Sequence, residues 1–244
     1  HLEKKIDEVL VMKPFFFVVW SLLISGICVA GIWRDDFEDK NTKEWKIFNE
    51  DPKVEKWWID SGEAVGEIFL EGFMSLWTTG DLDWLDYSMS CRAKLGKEKN
   101  IFDTPYLGMT IFDRGEEDTR YLFFIEYANE RATIAKATPE NWSIIPFPFV
   151  AEKDKWYNLR ATVNGDLLEF QIDDQVFSAI DPDPLESGQA GLIVSDAQAR
   201  FDDVEIRGDD IRDGGPGKPR PVELKHKLTT TWSKVKIGQL NRFE

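Results

Sequence analysis

The sequence predicts an all-β protein, a two-sheet antiparallel β-sandwich, and three observations support this fold class. Apolar and polar residues alternate through residues 157–164, which is the period-two pattern of a strand with one buried and one solvated face. Asn164-Gly165-Asp166 then reverses the chain, because Asn and Gly tolerate the positive φ of a tight hairpin, and residues 167–172 alternate again. Further short segments recur every 8–12 residues or so without a long amphipathic helix, which is typical of sandwiches.

The remaining strands follow one another along the chain from residue 32. We predict strands over residues 32–38, 45–48, 56–60, 64–70, 73–79, 85–95, 106–113, 120–127, 131–137, 144–150, 190–195 and 200–207. Trp142 falls in the loop before residues 144–150. Pro146 and Pro148 lack the N–H that a sheet ladder needs, so residues 144–150 are predicted to form an edge strand or an extended rim loop.

Charge and cysteine content limit the possible partners. A formal net charge of −15 argues against nucleic-acid binding, because binding phosphates requires a positive field. Of the two cysteines, Cys28 lies in an apolar leader, and Cys91 shares the strand parity of Tyr87 and Met89. We therefore expect no internal disulfide, and we expect Cys91 to be a buried apolar residue rather than a reactive thiol.

The N-terminal region carries an uncharged apolar run over residues 14–33, preceded by Met12-Lys13. Together with small residues at 28–30, this pattern predicts a secretory signal peptide. A retained membrane anchor is the alternative, because about 20 apolar residues span a bilayer as a helix. We therefore expect an upstream extension (1–11) and an apolar helix that serves as signal peptide or anchor (12–31). Either interpretation places the following domain outside the cytoplasm, as a secreted, periplasmic or membrane-anchored protein.

The C-terminal region changes composition after the sandwich domain, which we place at residues 32–208. Residues 209–221 are rich in Gly and Pro and are predicted to be a linker. Residues 222–244 carry five Lys and Arg residues against two Glu residues. This basic tail is either a poorly ordered segment that touches the acidic domain weakly or a sorting or docking segment.

Several short motifs occur at the two ends of the domain and in its central hairpin: Phe37 within residues 35–38, Trp156-Tyr157 with Gly165 and Asp173, Gly191-Leu192, and Phe201-Asp202-Asp203-Val204. These motifs resemble those of the concanavalin A-like lectin/glucanase superfamily, and more narrowly its laminin-G-like and sugar-hydrolase-associated jelly rolls of bacteria. The resemblance covers about residues 32–208. It implies a two-sheet jelly roll whose first and last strands pair, with a concave face that meets carbohydrate in many relatives. Such a fold does not by itself establish a function.

Catalysis is not favoured by the acidic residues. Sugar-cleaving members of the superfamily carry a Glu-x-Asp-x-(x)-Glu run on one strand, and this sequence has only the aspartates of residues 81–86 and the isolated Glu126. Both histidines, His1 and His226, lie outside the predicted domain. We therefore predict an exported non-catalytic module that binds carbohydrate or another extracellular surface on its concave face. The alternatives are a glycoside hydrolase or lyase that uses Glu126 with Asp113 or Asp86, and a purely structural surface domain with a protein partner.

Six residues are candidates for glycan contact, because aromatic platforms and planar polar groups hold sugars. They are Trp77, Arg92, Arg120, Glu126, Trp142 and Arg160. The charged members lie on strands with parity opposite to the apolar set, which predicts that they are exposed. The alternative for each tryptophan is the core, since a sandwich of this size needs bulky side chains inside. Expected partners are a glycan or cell surface, and a membrane if the N-terminal segment is retained.

A structural calcium ion is predicted where the chain ends meet. Pairing of the first and last strands would bring Asp36 close to Asp202 and Asp203, and like charges across a ladder are destabilising. Phe201 and Val204 cannot both face inward on a regular strand, which predicts a bulge between them. Ca²⁺ suits carboxylate and backbone oxygens in irregular geometry. Alternatively, these aspartates cap backbone N–H groups or face water.

Overall fold

The computed structural model describes residues 30–47, 55–70, 72–98, 104–115, 118–217 and 241–242. Within them the protein is an all-β, two-sheet sandwich, as the sequence predicts. None of the helices in this part of the chain is long and apolar enough to cross a membrane. The extension predicted at 1–11 and nearly all of the apolar helix predicted at 12–31 lie outside the described residues.

Sixteen strands make up the described part of the chain, and they are numbered in chain order. They are β1 (Gly31–Asp35), β2 (Lys46–Ile47), β3 (Glu55–Asp60), β4 (Glu63–Ile68), β5 (Met74–Thr79), β6 (Tyr87–Glu98), β7 (Tyr106–Asp113), β8 (Arg120–Glu126), β9 (Arg131–Ala137), β10 (Trp142–Pro148), β11 (Tyr157–Asn164), β12 (Leu167–Ile172), β13 (Gln175–Ile180), β14 (Gln189–Ser195), β15 (Ala197–Gly208) and β16 (Asn241–Arg242). The nine-stranded sheet has the order β16-β13-β12-β11-β6-β15-β4-β3, with β1 also paired to β15. The seven-stranded sheet has the order β10-β9-β8-β7-β14-β5-β2.

The main core lies between the two sheets and follows from the alternation of apolar residues. On β11 the burial pattern alternates strictly, with Tyr157, Leu159 and the following odd-numbered residues buried. Cys91 on β6 is also buried at 4% exposure, as predicted, and burial raises the pKa of its thiol. A one-residue slip of β11 would turn its buried side chains out of this interior, so the register of the strand is strongly specified.

The first and last strands of the sandwich pair as the resemblance implied. β1 runs antiparallel to β15, with Asp35 opposite Val204. The register between β15 and β6 shifts between Asp202 and Glu205, and Asp203 has a φ of 55°. This shift confirms the predicted bulge, and it allows Phe201 and Val204 both to be buried, at 0% and 2% exposure.

The first part of the predicted linker packs along β1. Gly214 accepts a hydrogen bond from the backbone N–H of Arg34 at 3.0 Å and donates one to the carbonyl of Ile32 at 3.0 Å. Gly215 has a φ of 86°, and a Cβ there would lie 2.0 Å from the carbonyl oxygen of Arg34. The glycines of this stretch therefore allow close backbone contact with the first strand.

Three elements differ from the sequence prediction, and one of them is β16 (Asn241–Arg242), which lies within the predicted basic tail. Trp142 was expected in a loop, but it is the first residue of β10, which lies at the edge of the seven-stranded sheet. The edge position itself agrees with the prediction from Pro146 and Pro148. β13 was not predicted as a strand, because the two-residue turn at Asp173-Asp174 that separates it from β12 is short and acidic.

Asp35 is a buried carboxylate at the end of β1. Its Oδ1 accepts a hydrogen bond from the backbone N–H of Phe37, and its Oδ2 accepts one from the indole Nε1 of Trp45, both at 2.8 Å. Burial raises the pKa of Asp35 to about 6, although both hydrogen bonds oppose the increase. Burying the ionised form therefore costs stability that burying the neutral form does not.

The free energy of unfolding should depend on pH through Asp35. The folded pKa of Asp35 is about 6, whereas its ordinary value is 3.8, so between these pH values Asp35 is protonated in the native state and ionised in the unfolded state. The free energy of unfolding therefore falls as the pH rises from about 4 to about 6. We expect the stability of the native protein relative to Asp35→Asn to decrease by up to about 3 kcal/mol between those pH values. Urea unfolding of both proteins across this range measures the difference, and a constant difference would contradict the assignment.

Candidate functional site

The structure places the six candidate ligand residues in three separate locations. Trp77 lies in the interior at 3% exposure, in an aromatic column with Trp45 and Trp57 at ring-centroid distances of 4.7 and 5.2 Å. The other five lie on the outer faces of the two sheets. The predicted set therefore does not form one site.

Arg120 and Glu126 lie at opposite ends of β8 and are buried, at 3% and 5% exposure, so the prediction that they are exposed is wrong. The guanidinium of Arg120 donates to Asp113 at 3.1 Å and to Asp118 at 2.5 Å. Asp113 and Asp118 neutralise the positive charge of Arg120, which explains how this charged residue can be buried on the strand.

Glu126 is held by three neighbouring side chains. It accepts hydrogen bonds from Arg131 at 2.7 and 2.8 Å, from Thr133 at 2.6 Å and from Asn129 at 2.7 Å. Burial acts to raise the pKa of Glu126, but the hydrogen bonds from Arg131, Thr133 and Asn129 outweigh it and hold the pKa below its usual value. An ionised, fully engaged carboxylate is poorly suited to act as a general acid.

The carboxylates of the hydrolase alternative are far apart. Glu126 pairs with Tyr106 in register, and Asp113 lies seven residues further along β7. At about 3.3 Å per residue this is a separation of about 23 Å, against about 5–10 Å for a catalytic pair in glycosidases. Asp86 accepts a hydrogen bond from the N–H of Gly165, in the β11–β12 turn of the other sheet. Glu126 and Asp113 therefore do not form a glycosidase pair, and Asp86 is engaged in a turn of the other sheet.

Arg92 and Arg160 lie on the outer face of the nine-stranded sheet, on neighbouring strands β6 and β11. Arg92 forms ion pairs with Asp202 and Asp203, and its guanidinium lies 4.9 Å from the ring centre of Trp156. Arg160 is exposed. Binding of a ligand by either residue stays a prediction, and for Arg92 it would compete with these contacts.

The cluster predicted to bind calcium has Arg92 as its counter-charge. Asp202 and Asp203 lie at the β15 bulge, and Asp36 directly follows Asp35, the β1 residue that pairs with Val204. Within the described ranges, no group of three or more His, Cys, Asp or Glu side chains is arranged to hold a metal ion. Calcium binding by Asp36, Asp202 and Asp203 stays a prediction.

Calcium binding can be tested through Arg92, because an ion at Asp202 and Asp203 must displace its guanidinium. If the three aspartates bind calcium, adding Ca²⁺ after EGTA treatment should raise the melting temperature, and Arg92→Ala should make this increase larger. Differential scanning calorimetry with and without Ca²⁺ measures both effects, with Arg160→Ala as the matched arginine control. Equal melting temperatures in EGTA and Ca²⁺ for the native protein and the Arg92 variant would contradict the calcium site.

An exposed apolar stripe runs along β10, on the outer face of the seven-stranded sheet. We call it the β10 stripe; its members are Trp142, Ile144, Pro146 and Pro148, and all four are exposed while the intervening Ile145 is buried. Trp142 and Ile144 are 46% and 43% exposed. Six residue steps at about 3.3 Å give the stripe a length of about 20 Å. The residues paired with it on β9 include Ala135 and Ala137, which are small and leave its side accessible.

The outer face beside the β10 stripe is also apolar. A second cluster of buried side chains, separate from the main core, lies on this face of the seven-stranded sheet. It comprises Leu76, Leu122, Phe124, Ala135, Ala137 and Ile193, with Met74 and Tyr106 packed against it. Sequence alternation did not reveal this cluster, because β8 is buried on both faces and its residues show no period of two.

A cleft of about 470 Å³ opens at the opposite edge of the seven-stranded sheet, where β2, β3 and β5 meet. We call it the edge cleft; it is lined by Trp45, Trp57, Trp77, Lys46, Lys56 and Glu55, with Thr42 and Ile47. Sequence analysis did not identify this site. One feature of the sequence could have indicated it. Glu55 and Trp57 occupy alternate positions of β3, so the carboxylate of Glu55 lies on the same inward face as the Trp57 ring.

Comparison with known proteins supports the fold. No family model and no curated protein matches the sequence. The structure is similar to the carbohydrate-binding module CBM66 from Bacillus subtilis, with a TM-score of 0.57, 20% identity and coverage of 68% of this chain and 96% of that chain. It is also similar to a prokaryotic β-1,3-1,4-glucanase (lichenase) from a mouse hindgut metagenome, with a TM-score of 0.55, 10% identity and coverage of 72% and 98%. The fold is therefore the concanavalin A-like jelly-roll β-sandwich that the sequence motifs resemble.

Proposed function

We propose that this protein is a non-catalytic carbohydrate-binding module that acts outside the cytoplasm. The β10 stripe is the observation that carries this proposal, because a flat apolar and aromatic surface packs against the C–H faces of sugar rings. A third structural neighbour is the CBM2 module of the evolved Dit protein of Lactobacillus casei BL23 phage J-1. It has a TM-score of 0.50 and 12% identity, covering 73% of this chain and 96% of that chain.

The shape of the β10 stripe suits an extended polysaccharide. Its four members occupy alternate positions of one edge strand, so they form a line rather than a pocket. Trp142 provides the largest surface, and Pro146 and Pro148 keep the strand rigid and flat. A linear platform of this kind binds several consecutive sugar units, each weakly.

The arrangement of charged groups favours binding without cleavage. Glu126 and Asp113 are each engaged by an arginine and are separated by about 23 Å along the strands, at about 3.3 Å per residue. Neither lies opposite the other across a position where a glycosidic bond could sit. A glycoside hydrolase, which requires two carboxyl groups on either side of the bond, is therefore the weaker candidate.

Replacing Trp142 should weaken polysaccharide binding. We expect Trp142→Ala to lower the affinity for the best-binding polysaccharide by about tenfold, because aromatic anchors supply much of the energy of such surfaces. Affinity electrophoresis through gels that contain different soluble polysaccharides measures the change, and the same samples are assayed for released reducing ends.

The matched control is Trp58→Ala, because Trp58 is a partly exposed tryptophan of β3 in the other sheet. It should migrate as the native protein does. Equal retardation of the Trp142 variant and the native protein would contradict the β10 stripe as the binding surface. Release of reducing ends would favour the hydrolase instead, and lack of retardation by every polysaccharide would favour a structural domain with a protein partner.

A further inference from the structure

We propose that the outer edge of β13 is a strand-acceptor site, and that its ligand is the C-terminal region of the same chain, which binds there through β16. The sequence leaves two interpretations of residues 222–244 open, a poorly ordered tail and a docking segment. Three observations favour the docking segment: the direction of the backbone groups of β13, the way β16 pairs with them, and the charges of the two partners. None of them involves the β10 stripe.

The even-numbered residues of β13 direct their backbone N–H and C=O groups away from β12. In an antiparallel pair, successive residues of a strand direct these groups alternately toward the partner and away from it. Asp181, which directly follows β13, donates its backbone N–H to the carbonyl of Asp166 at 2.9 Å, on the β12 side. The odd-numbered residues therefore bond to β12, and Val176, Ser178 and Ile180 offer their backbone groups at the outer edge, which we call the β13 edge.

β16 occupies one end of the β13 edge. It runs parallel to β13, with Asn241 opposite Ala179 and Arg242 opposite Ile180. Because the backbone groups of Ala179 face β12, the pairing with Asn241 uses the outward groups of Ser178 and Ile180 on either side. Parallel strands cannot be joined by a hairpin, so β16 reaches this edge from a distant part of the chain, in the way that a separate peptide adds a strand to a sheet.

The length of chain before β16 suits pairing within one molecule. The backbone N–H of Gly217 donates to the carbonyl of Arg34 on β1 at 2.9 Å. Through β15, β6, β11, β12 and β13, β1 and β16 are six strand intervals apart, which is about 29 Å at about 4.8 Å per interval. A flexible chain of 24 residue steps, the number from Gly217 to Asn241, would have an r.m.s. length of about 24–29 Å. A tether that matches its span gives the highest effective concentration, which favours the strand of the same chain over that of a second copy.

Charge also favours this partner. Residues 222–244 carry five Lys and Arg residues against two Glu residues, on a protein with a net charge of −15. β13 itself has no charged residue, and Asp174 and Asp183 are exposed near its two ends. An acidic surface attracts a basic segment and repels a second acidic domain.

Pairing with β16 also protects the β13 edge. The ring centres of Phe177 on β13 and Phe147 on β10 are 5.2 Å apart, so the outermost strands of both sheets lie on the same side of the sandwich. β10 lacks two backbone N–H groups, at Pro146 and Pro148, whereas β13 contains no proline. An open edge strand invites pairing with other molecules, and the C-terminal region covers the edge that prolines do not protect.

Hydrogen exchange of the full chain tests the pairing. Asn241→Pro removes the backbone N–H that pairs with β13, and Asn241→Ala is the matched control because it keeps this N–H. We expect the amide of Ile180 to exchange about tenfold faster or more in the proline variant than in the native protein or the alanine variant, because the tethered strand no longer protects it. The amide of Ala179, which bonds to β12, should exchange at the same rate in all three proteins. NMR spectroscopy measures both amides.

A labelled peptide of residues 234–244 tests the acceptor site from the other side. Fluorescence anisotropy should show saturable binding of this peptide to the Asn241→Pro protein, whose β13 edge is open. Binding to the native protein and to Asn241→Ala should be about tenfold weaker, because the strand of the same chain competes with the peptide. A control peptide that carries Asn241→Pro itself should bind none of the three proteins.

Three results would overturn the proposal. The first is equal exchange of the Ile180 amide in the native protein and both variants. The second is a peptide that binds the Asn241→Pro protein no more tightly than the native protein. The third is a native dimer, detected by sedimentation velocity, that dissociates in the Asn241→Pro variant, because the strand would then pair between copies. These measurements involve no polysaccharide, so they stand apart from the test of the β10 stripe.

Discussion

The bulge in β15 is the feature on which the arrangement of the sandwich depends. β15 pairs with β6 along one side and with β4 and then β1 along the other, so it joins the beginning and the end of the domain. A regular strand could direct only one of Phe201 and Val204 inward, and the bulge places both in the core. Arg92 neutralises the two aspartates that the bulge brings to the surface. Core packing and charge neutralisation therefore coincide at the bulge, next to the position where the last strand of the sandwich pairs with the first.

Much of the fold could be predicted because its determinants are local. The alternation in β11 and the turn at Asn164-Gly165-Asp166 are readable from consecutive residues, and β7 and β9 begin and end at the predicted residues. The bulge was predictable for the same reason, since Phe201 and Val204 are only three positions apart. β13 was not predicted because only two residues, Asp173 and Asp174, separate it from β12, so the sequence shows no clear loop between the two strands.

The candidate site was harder to predict because its determinants are distant in sequence. Arg120 was expected to be exposed, and its burial depends on Asp113, which belongs to the neighbouring strand. The edge cleft depends on Glu55 and Ser75, which are separated by 20 positions and belong to different sheets. Parity along one strand shows that a side chain points inward, but only the pairing of strands shows which partner it meets there.

The β10 stripe and the edge cleft occupy opposite margins of the same sheet. β10 and β2 are the first and last strands in the order of the seven-stranded sheet, six intervals apart. At about 4.8 Å per interval the β10 stripe and the edge cleft are about 29 Å apart. One sugar unit therefore cannot contact both features.

The prolines of β10 also affect how copies of the protein behave toward one another. An outermost strand normally offers unpaired N–H groups on which a second molecule can add a strand, and this is a common route to aggregation and fibrils. Pro146 and Pro148 remove two of these groups from the exposed margin. At the far margin, the described part of β2 is two residues long. An apolar surface can thus stay open to solvent at high protein concentration without recruiting its own neighbours.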